Sequence, residues 1–298
     1  MFFLKQQKPS TYTLTIDVEI DAGPKWKTSS PQSFLGVIEG IPKLQILCDR
    51  YGVKPTYLIS PATMFDEDCI KLFKSLDQNK CELGTHLHGE YIGPHAKYLA
   101  PDFSGKDPGE MQCEYAKELE FEKLKTLTEK FIAVFNRSPK SFRAGRFGAR
   151  GHTIKCLEEL EYTHDTSVTP FKNWYKKADF SQIESVRPYH PSFDDITKKG
   201  NSKIVEVPVS ITPNLEWLRP TPGFSNFRKT KKVLSWYQKQ SETPVYCSMF
   251  HNVELIPGKS PYCPSSKECD FILKTLEKTF KYLKKNNCTF KTISEIEV

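Results

Sequence analysis

No stretch of the 298 residues is apolar for long enough to cross a bilayer as a helix, so a membrane span of that kind is excluded. The opening Met1-Phe2-Phe3-Leu4-Lys5-Gln6-Gln7-Lys8 lacks the basic segment, long apolar run and small-residue cleavage site of a secretory signal, which points to the cytoplasm. None of the nine cysteines falls in a C-x-x-C pair, and their odd number argues against a closed disulfide framework, so they read as reduced, mostly buried thiols. Internal repeats and low-complexity tracts are absent as well. The net charge of +7 comes largely from scattered lysines, with local clusters at Lys229 to Lys232 and Lys281 to Lys285. That is the pattern of a solvated surface rather than a track for nucleic acid, though it suits an anionic substrate.

What is present is an ordinary globular composition, 38% hydrophobic and 27% charged, on a chain long enough for one α/β barrel domain over residues 1–298. Strand and helix patterns alternate. Strands are expected at Tyr12 to Glu19, Pro55 to Ser60, Cys81 to Thr85, Lys140 to Ala144, Tyr162 to Ser167, Lys203 to Val209, Pro244 to Phe250 and Thr289 to Ile293. Helical periodicity falls between them at Phe34 to Tyr51, Asp66 to Asn79, Glu110 to Asn136, Gly151 to Leu160, Ser225 to Gln240 and Glu268 to Lys285. Pro42 sits inside the first of these, so its regular part should begin only there. About seven or eight parallel strands alternating with helices close most naturally into a (β/α) barrel. Two segments interrupt the pattern: a Pro-, Gly- and Asp-rich excursion from Gly93 to Gly109, and an irregular insertion at about 168–203 with the composition of a binding loop or lid.

Residues with catalytic potential recur where strands finish: Asp17 and Glu19, His86 and His88, Arg143, Asp165, and His251. Residues two apart on an extended backbone project to one side, which aims both imidazoles at one point and suggests a divalent metal. Taken alone, the same tripeptide also suits two histidines in a polar surface loop. In a βα barrel, however, all the strand ends share one face, where active sites lie.

Five segments in order, Leu14-Thr15-Ile16-Asp17-Val18-Glu19, Glu82-Leu83-Gly84-Thr85-His86, Phe142-Arg143-Ala144-Gly145-Arg146-Phe147-Gly148, Asp165-Thr166-Ser167 and Met249-Phe250-His251-Asn252-Val253-Glu254, resemble the motifs of the NodB-type polysaccharide deacetylases, carbohydrate esterase family four. The similarity runs from about Thr11 to the C-terminus. It implies a distorted (β/α) barrel of about seven parallel strands, and a divalent ion, zinc first among the candidates, used to remove acetyl groups from carbohydrates. By this resemblance Asp17 is the general base, Glu19 and His86 are metal ligands, His251 is the general acid, Arg143 orients the base, and Asp165 tunes its neighbours. The family's second metal histidine lies four residues after the first, a position held here by Glu90. Either His88 or Glu90 can complete the site, and His88 is the better donor type for zinc.

Arg146, Glu254 and Tyr189 of the long insertion are expected to contact the substrate, a polar or anionic carbohydrate: an amino sugar, a nucleotide-linked sugar or a glycan. The activity expected is deacylation of an amino sugar or glycan precursor in surface polysaccharide biosynthesis. The alternatives are hydrolysis of another C–N bond, such as a formamide or non-sugar amide, and a degenerate barrel that binds carbohydrate without turnover.

Overall fold

The computed structural model describes residues 8–23, 26–29, 31–97 and 111–298. Strand β1 (Thr11–Val18) is buried along almost its whole length, which fits its run of β-branched and aromatic residues. It pairs in parallel with β2 (Pro55–Ile59) on one side and β9 (Val245–His251) on the other. From β2 the sheet continues through β3 (Glu82–Leu87), β4 (Ser141–Ala144), β5 (His164–Asp165) and β8 (Val205–Glu206), every pairing parallel. Seven parallel strands thus curl into an open barrel, the architecture predicted from the alternating pattern. At its beginning β1 also pairs with β10 (Thr289–Phe290), in the space that β2 has not yet reached. Between β8 and β9 there is no continuous ladder. Single bonds bridge the gap: the amide of Ser210 donates to Cys247 O at 2.9 Å, and that of Met249 to Leu218 O at 3.3 Å.

Helices α1 (Ile41–Tyr51), α2 (Glu67–Ser75), α3 (Lys117–Phe135), α4 (Gly151–Glu159), α5 (Phe227–Gln240) and α6 (Ser266–Lys285) follow the strands in turn. Helix α1 opens as expected at Pro42: a wider π-helical turn over Gly36–Gly40 precedes it, and the proline lies in the first turn, where a missing N–H costs nothing. The apolar faces of these helices and the outward faces of the strands share one core, including Leu44, Leu127, Phe131, Phe142, Leu234 and Phe280. All nine cysteines are buried and unbridged. Among the described residues no helix is long and apolar enough to cross a membrane.

Two differences from the sequence expectation have local causes. Strands β5 and β8 are only two residues long, because beyond them side chains take over from the ladder: Thr166 Oγ1 donates to Val207 O at 2.7 Å, and the amide of Val168 donates to Glu206 Oε1 at 3.0 Å. The insertion at 168–203 carries an antiparallel hairpin, β6 (Asn173–Tyr175) with β7 (Ala178–Asp179). The excursion expected from Gly93 to Gly109 falls, beyond Lys97, outside the described residues.

Candidate active site

The ends of β1, β3, β4 and β9 open into one cavity of about 710 Å³, lined by Asp17, Glu19, His86, His88, Arg146 and His251 among others. The parallel register brings this about. Asp17 pairs with His251 across the β1–β9 ladder, and His86 with Arg143 across β3–β4. Residues separated by more than 200 positions therefore finish at the same height.

On one side of the cavity Glu19, His86 and His88 converge. Glu19 Oε1 lies 3.1 Å from His86 Nε2 and 2.9 Å from His88 Nε2, and the two Nε2 atoms are 3.2 Å apart. His86 Nδ1 lies 3.0 Å from Arg143 O, and His88 Nδ1 lies 3.4 Å from Glu90 Oε1. A proton on each Nδ1 satisfies those acceptors and leaves both Nε2 lone pairs facing a carboxylate oxygen. Three acceptors at such distances repel one another unless a positive charge stands among them. The protonation balance reports the same demand. Burial would lower His88, but Glu19 and then Glu90 push it up to about 9. Glu19 is held well below the usual carboxylate value, because the histidines outweigh the burial that opposes this. These three side chains form a group that could hold a metal ion, the only such group among the described residues.

Glu90 stands behind this cluster. Its carboxylate takes an N–H from Arg146 at 2.7 Å and faces His88 Nδ1, so it orients the His88 ring and does not converge with Glu19 and His86. Burial would raise it, yet His88 and Arg146 bring it down to about 2. Gly145 makes this packing possible: a Cβ there would collide with Leu87 O and stand 3.2 Å from the His88 ring. The two residues after it, Arg146 and Phe147, adopt φ of 53° and 55°, a left-handed stretch that non-glycine residues enter at a cost and that directs both side chains to the cavity.

At the floor, Arg143 Nη1 donates to Asp17 Oδ1 at 2.5 Å, while Nη2 and Nε donate to Thr15 Oγ1, Thr166 Oγ1 and Thr166 O. Burial opposes ionisation of Asp17, but Arg143 above all, with His86 and His251, holds it below the ordinary value. Its other oxygen, Oδ2, lies 4.0 Å from His251 Nε2. The far edge of that imidazole is engaged: Nδ1 is 2.8 Å from Glu254 Oε1 and 3.2 Å from Arg219 Nη2.

Two residues stand elsewhere than the sequence predicts. Glu254 is fully buried behind His251 and is not among the side chains that line the cavity. Tyr189 is also buried: its hydroxyl donates to Ile196 O at 2.5 Å, and it borders a separate cavity toward Arg187 and His190. The loop side chain that does reach the site is Trp174 of the hairpin. Asp165 forms no described hydrogen bond to Asp17, Arg143 or His251; it accepts from Ser167 Oγ at 2.6 Å and faces Glu206. Among the catalytic candidates its charge still meets that of Arg143, through space and not by a hydrogen bond. Arg219, buried at the cavity edge, carried no sequence signal, since residues 210–224 show neither period.

One wall of the cavity is aromatic. Trp174 stacks on Phe147 with centroids 5.5 Å apart and 20° between planes, and ring contacts continue through Trp217, Phe224 and Tyr262 to Trp26, which meets His251 edge-on at 5.2 Å. The ends of this arc, Trp26 and Trp174, are about 40% exposed. The Glu19, His86, His88, Glu90 and Arg146 group supplies polar lining to the same cavity.

No family model matches the chain, and no curated protein matches it. Solved structures do. A chain described as a glycoside hydrolase/deacetylase from Parabacteroides distasonis aligns with a TM-score of 0.67 at 11% identity, over 99% of this chain and 71% of that one. A chain described as a polysaccharide deacetylase from Mycobacterium smegmatis aligns at 0.53 and 17% identity, over 100% and 98%. The 4-alpha-glucanotransferase of Thermococcus litoralis aligns at 0.57 and 15%, over 97% of this chain but 40% of its own. At such identities the likeness is one of fold, and this curled barrel is shared by deacetylases and by an enzyme of different chemistry.

Proposed function

We propose that the chain is a metal-dependent hydrolase that removes an acyl group, acetyl first, from an amino sugar or glycan precursor in the cytoplasm. One observation carries the reading: Glu19, His86 and His88 present three lone-pair donors at one point, beside a buried Asp17–Arg143 pair whose Asp17 Oδ2 lies 4.0 Å from His251 Nε2. Two imidazoles and one carboxylate suit zinc, and three protein donors leave a position open. When bound, a divalent ion supplies Lewis acidity, polarising the acyl carbonyl and lowering the pKa of water.

The chain's own residues supply the rest. Asp17, held ionised by Arg143, takes a proton from the attacking water through Oδ2. His251 presents Nε2 on the other side of that position and returns a proton to the departing nitrogen or oxygen. Glu90 fixes the ring of His88 and is itself fixed by Arg146. The aromatic arc with polar side chains lining the rest of the cavity suits a pyranose, whose ring has an apolar face and a hydroxyl-bearing rim.

The test begins with metal. Zinc added to chelated protein should raise its melting temperature and restore acetate release from N-acetylated amino sugars. His88→Ala should weaken metal binding by more than Glu90→Gln, for which about 10- to 100-fold is expected of a residue acting through a ligand. Formate in place of acetate would reassign the acyl group. Absence of both metal uptake and hydrolysis would leave a carbohydrate-binding barrel.

A further inference from the structure

His251 is approached along its Nδ1 edge by two opposite charges. Glu254 Oε1 lies 2.8 Å from Nδ1 and also accepts the His251 amide at 3.2 Å. Arg219 Nη2 lies 3.2 Å from the same Nδ1 and donates to Glu254 Oε1 at 2.5 Å. Thr221 ties both down: its hydroxyl donates to Glu254 Oε2, and it accepts Arg219 Nε–H at 2.8 Å. The guanidinium is also clasped between Phe224 and Tyr262, 4.3 and 5.0 Å from the ring centres. Both side chains are at least nine-tenths buried, so solvent screens neither.

Each partner alone would spoil a proton donor. A buried carboxylate against Nδ1 would hold the imidazolium and resist its discharge; a buried guanidinium there would prevent the ring from charging. Asp165 cannot play either part, since it is engaged with Ser167 and Glu206. The other charged groups around His251 are Asp17 on β1 at 4.0 Å, Glu19 just beyond that strand, and Lys27, which lines the same cavity from the loop that lays Trp26 on the ring.

Resting on the hydrolase reading above, we infer that Glu254 and Arg219 are positioning residues that act as an opposed pair on His251. Glu254 fixes the ring with Nδ1–H inward and favours its charge, and Arg219 tempers that preference, so that Nε2–H is released as the acyl bond breaks. In that step the N–H bond of Nε2 breaks and a new N–H or O–H bond forms on the leaving group. The ring is left neutral, its Nδ1 proton still held by Glu254.

The experiment follows the His251 ring proton through a pH titration by NMR in the full chain, its signal assigned by loss in His251→Gln. Glu254→Gln should lower the midpoint and Arg219→Met should raise it, each by about one unit or more, the size expected of a close charge. The double variant should lie between them. Arg219→Lys, which keeps the charge, should return the midpoint toward wild type and shows whether the clasp or the charge matters. Shifts in one common direction, or none, overturn the proposal, and should Glu254→Gln not fold, Arg219→Met and Arg219→Lys decide it alone. The titration needs no substrate, so the opposed pair stands or falls on it even in a chain that hydrolyses no sugar; where hydrolysis is measured, the basic limb of kcat/KM should move with the midpoints.

Discussion

Two buried carboxylates on separate strands of the one sheet live in opposite worlds. Asp17 on β1 meets the guanidinium of Arg143 and is held below its ordinary pKa; Asp165 on β5 meets a second acid, Glu206 on β8, and burial drives Asp165 upward against the pull of its hydrogen bonds, while burial and then Asp165 drive Glu206 upward. Burial is complete for both strands' acids, so it does not distinguish them. The difference lies in what the register sets opposite each one. Arg143 turns its guanidinium toward β1, using Thr15 and Thr166 as side supports, and forms no hydrogen bond to Asp165, which accepts from Ser167 and faces Glu206. One barrel thus keeps one acid ready to accept a proton and another pair ready to retain one.

Removing the ionised acid tests the first half of that contrast most severely. Asp17→Asn should retain metal, because Asp17 is not among the three converging donors, and should lose about 10²- to 10⁴-fold in turnover, the range for a general base. Metal loss in that variant would move Asp17 into the ligand set. Removing its partner should cost folding as well. Arg143→Met strands a buried carboxylate, an effect of about 3 to 5 kcal/mol measurable by urea unfolding. Asp17 would then bind its proton more tightly, so the acid limb of kcat/KM should shift to higher pH.

How much of this was legible in the sequence follows from how each residue is placed. Asp17, Glu19, His86, Arg143 and His251 stand at the ends of strands with clear patterns, and parallel register carries such ends to one mouth. Local order in the chain therefore foretold proximity in space. Glu206 and Asp165 each sit on a strand too, but that they face one another depends on β5 pairing with β8, two residues long and separated by the whole insertion. Nothing in the composition of either strand announces it. Tyr189 shows the limit of composition in another way: a tyrosine among prolines and charges suits a lid and an inward-packed loop equally, and only its bond to Ile196 O decides. Arg219 lies in a run without period, where no pattern sets direction. Cavity contact through Trp174 was likewise hidden until the hairpin at Asn173–Asp179 gave that run a geometry.

A loss at that hairpin should be smaller than the two above. Trp174→Ala removes the outer ring of the arc while Phe147 stays beneath, so affinity for an N-acetylated amino-sugar oligomer should fall by about 1 kcal/mol, the worth of one aromatic stacking contact, read by calorimetry.

The smallest effect sharpens the comparison from the side of the protonated pair. Glu206 and Asp165 have pKa values raised in the folded chain, so their contribution to stability is fully present below the ordinary carboxylate value. As pH rises past that value the unfolded chain releases these protons while the folded chain keeps them, and stability drains until the raised folded values are passed. Glu206→Gln removes one of the two titrations and puts an amide N–H where the carboxyl proton of Glu206 faces Asp165. The variant should match wild type near pH 4 and gain on it steadily toward pH 8, by about 1 to 2 kcal/mol at the upper end, since each unit of pKa difference is worth about 1.4 kcal/mol. Melting temperatures across that range measure it. A gap that is flat with pH would mean the pair does not hold its protons, and the opposition between the two sites would rest on Asp17 alone.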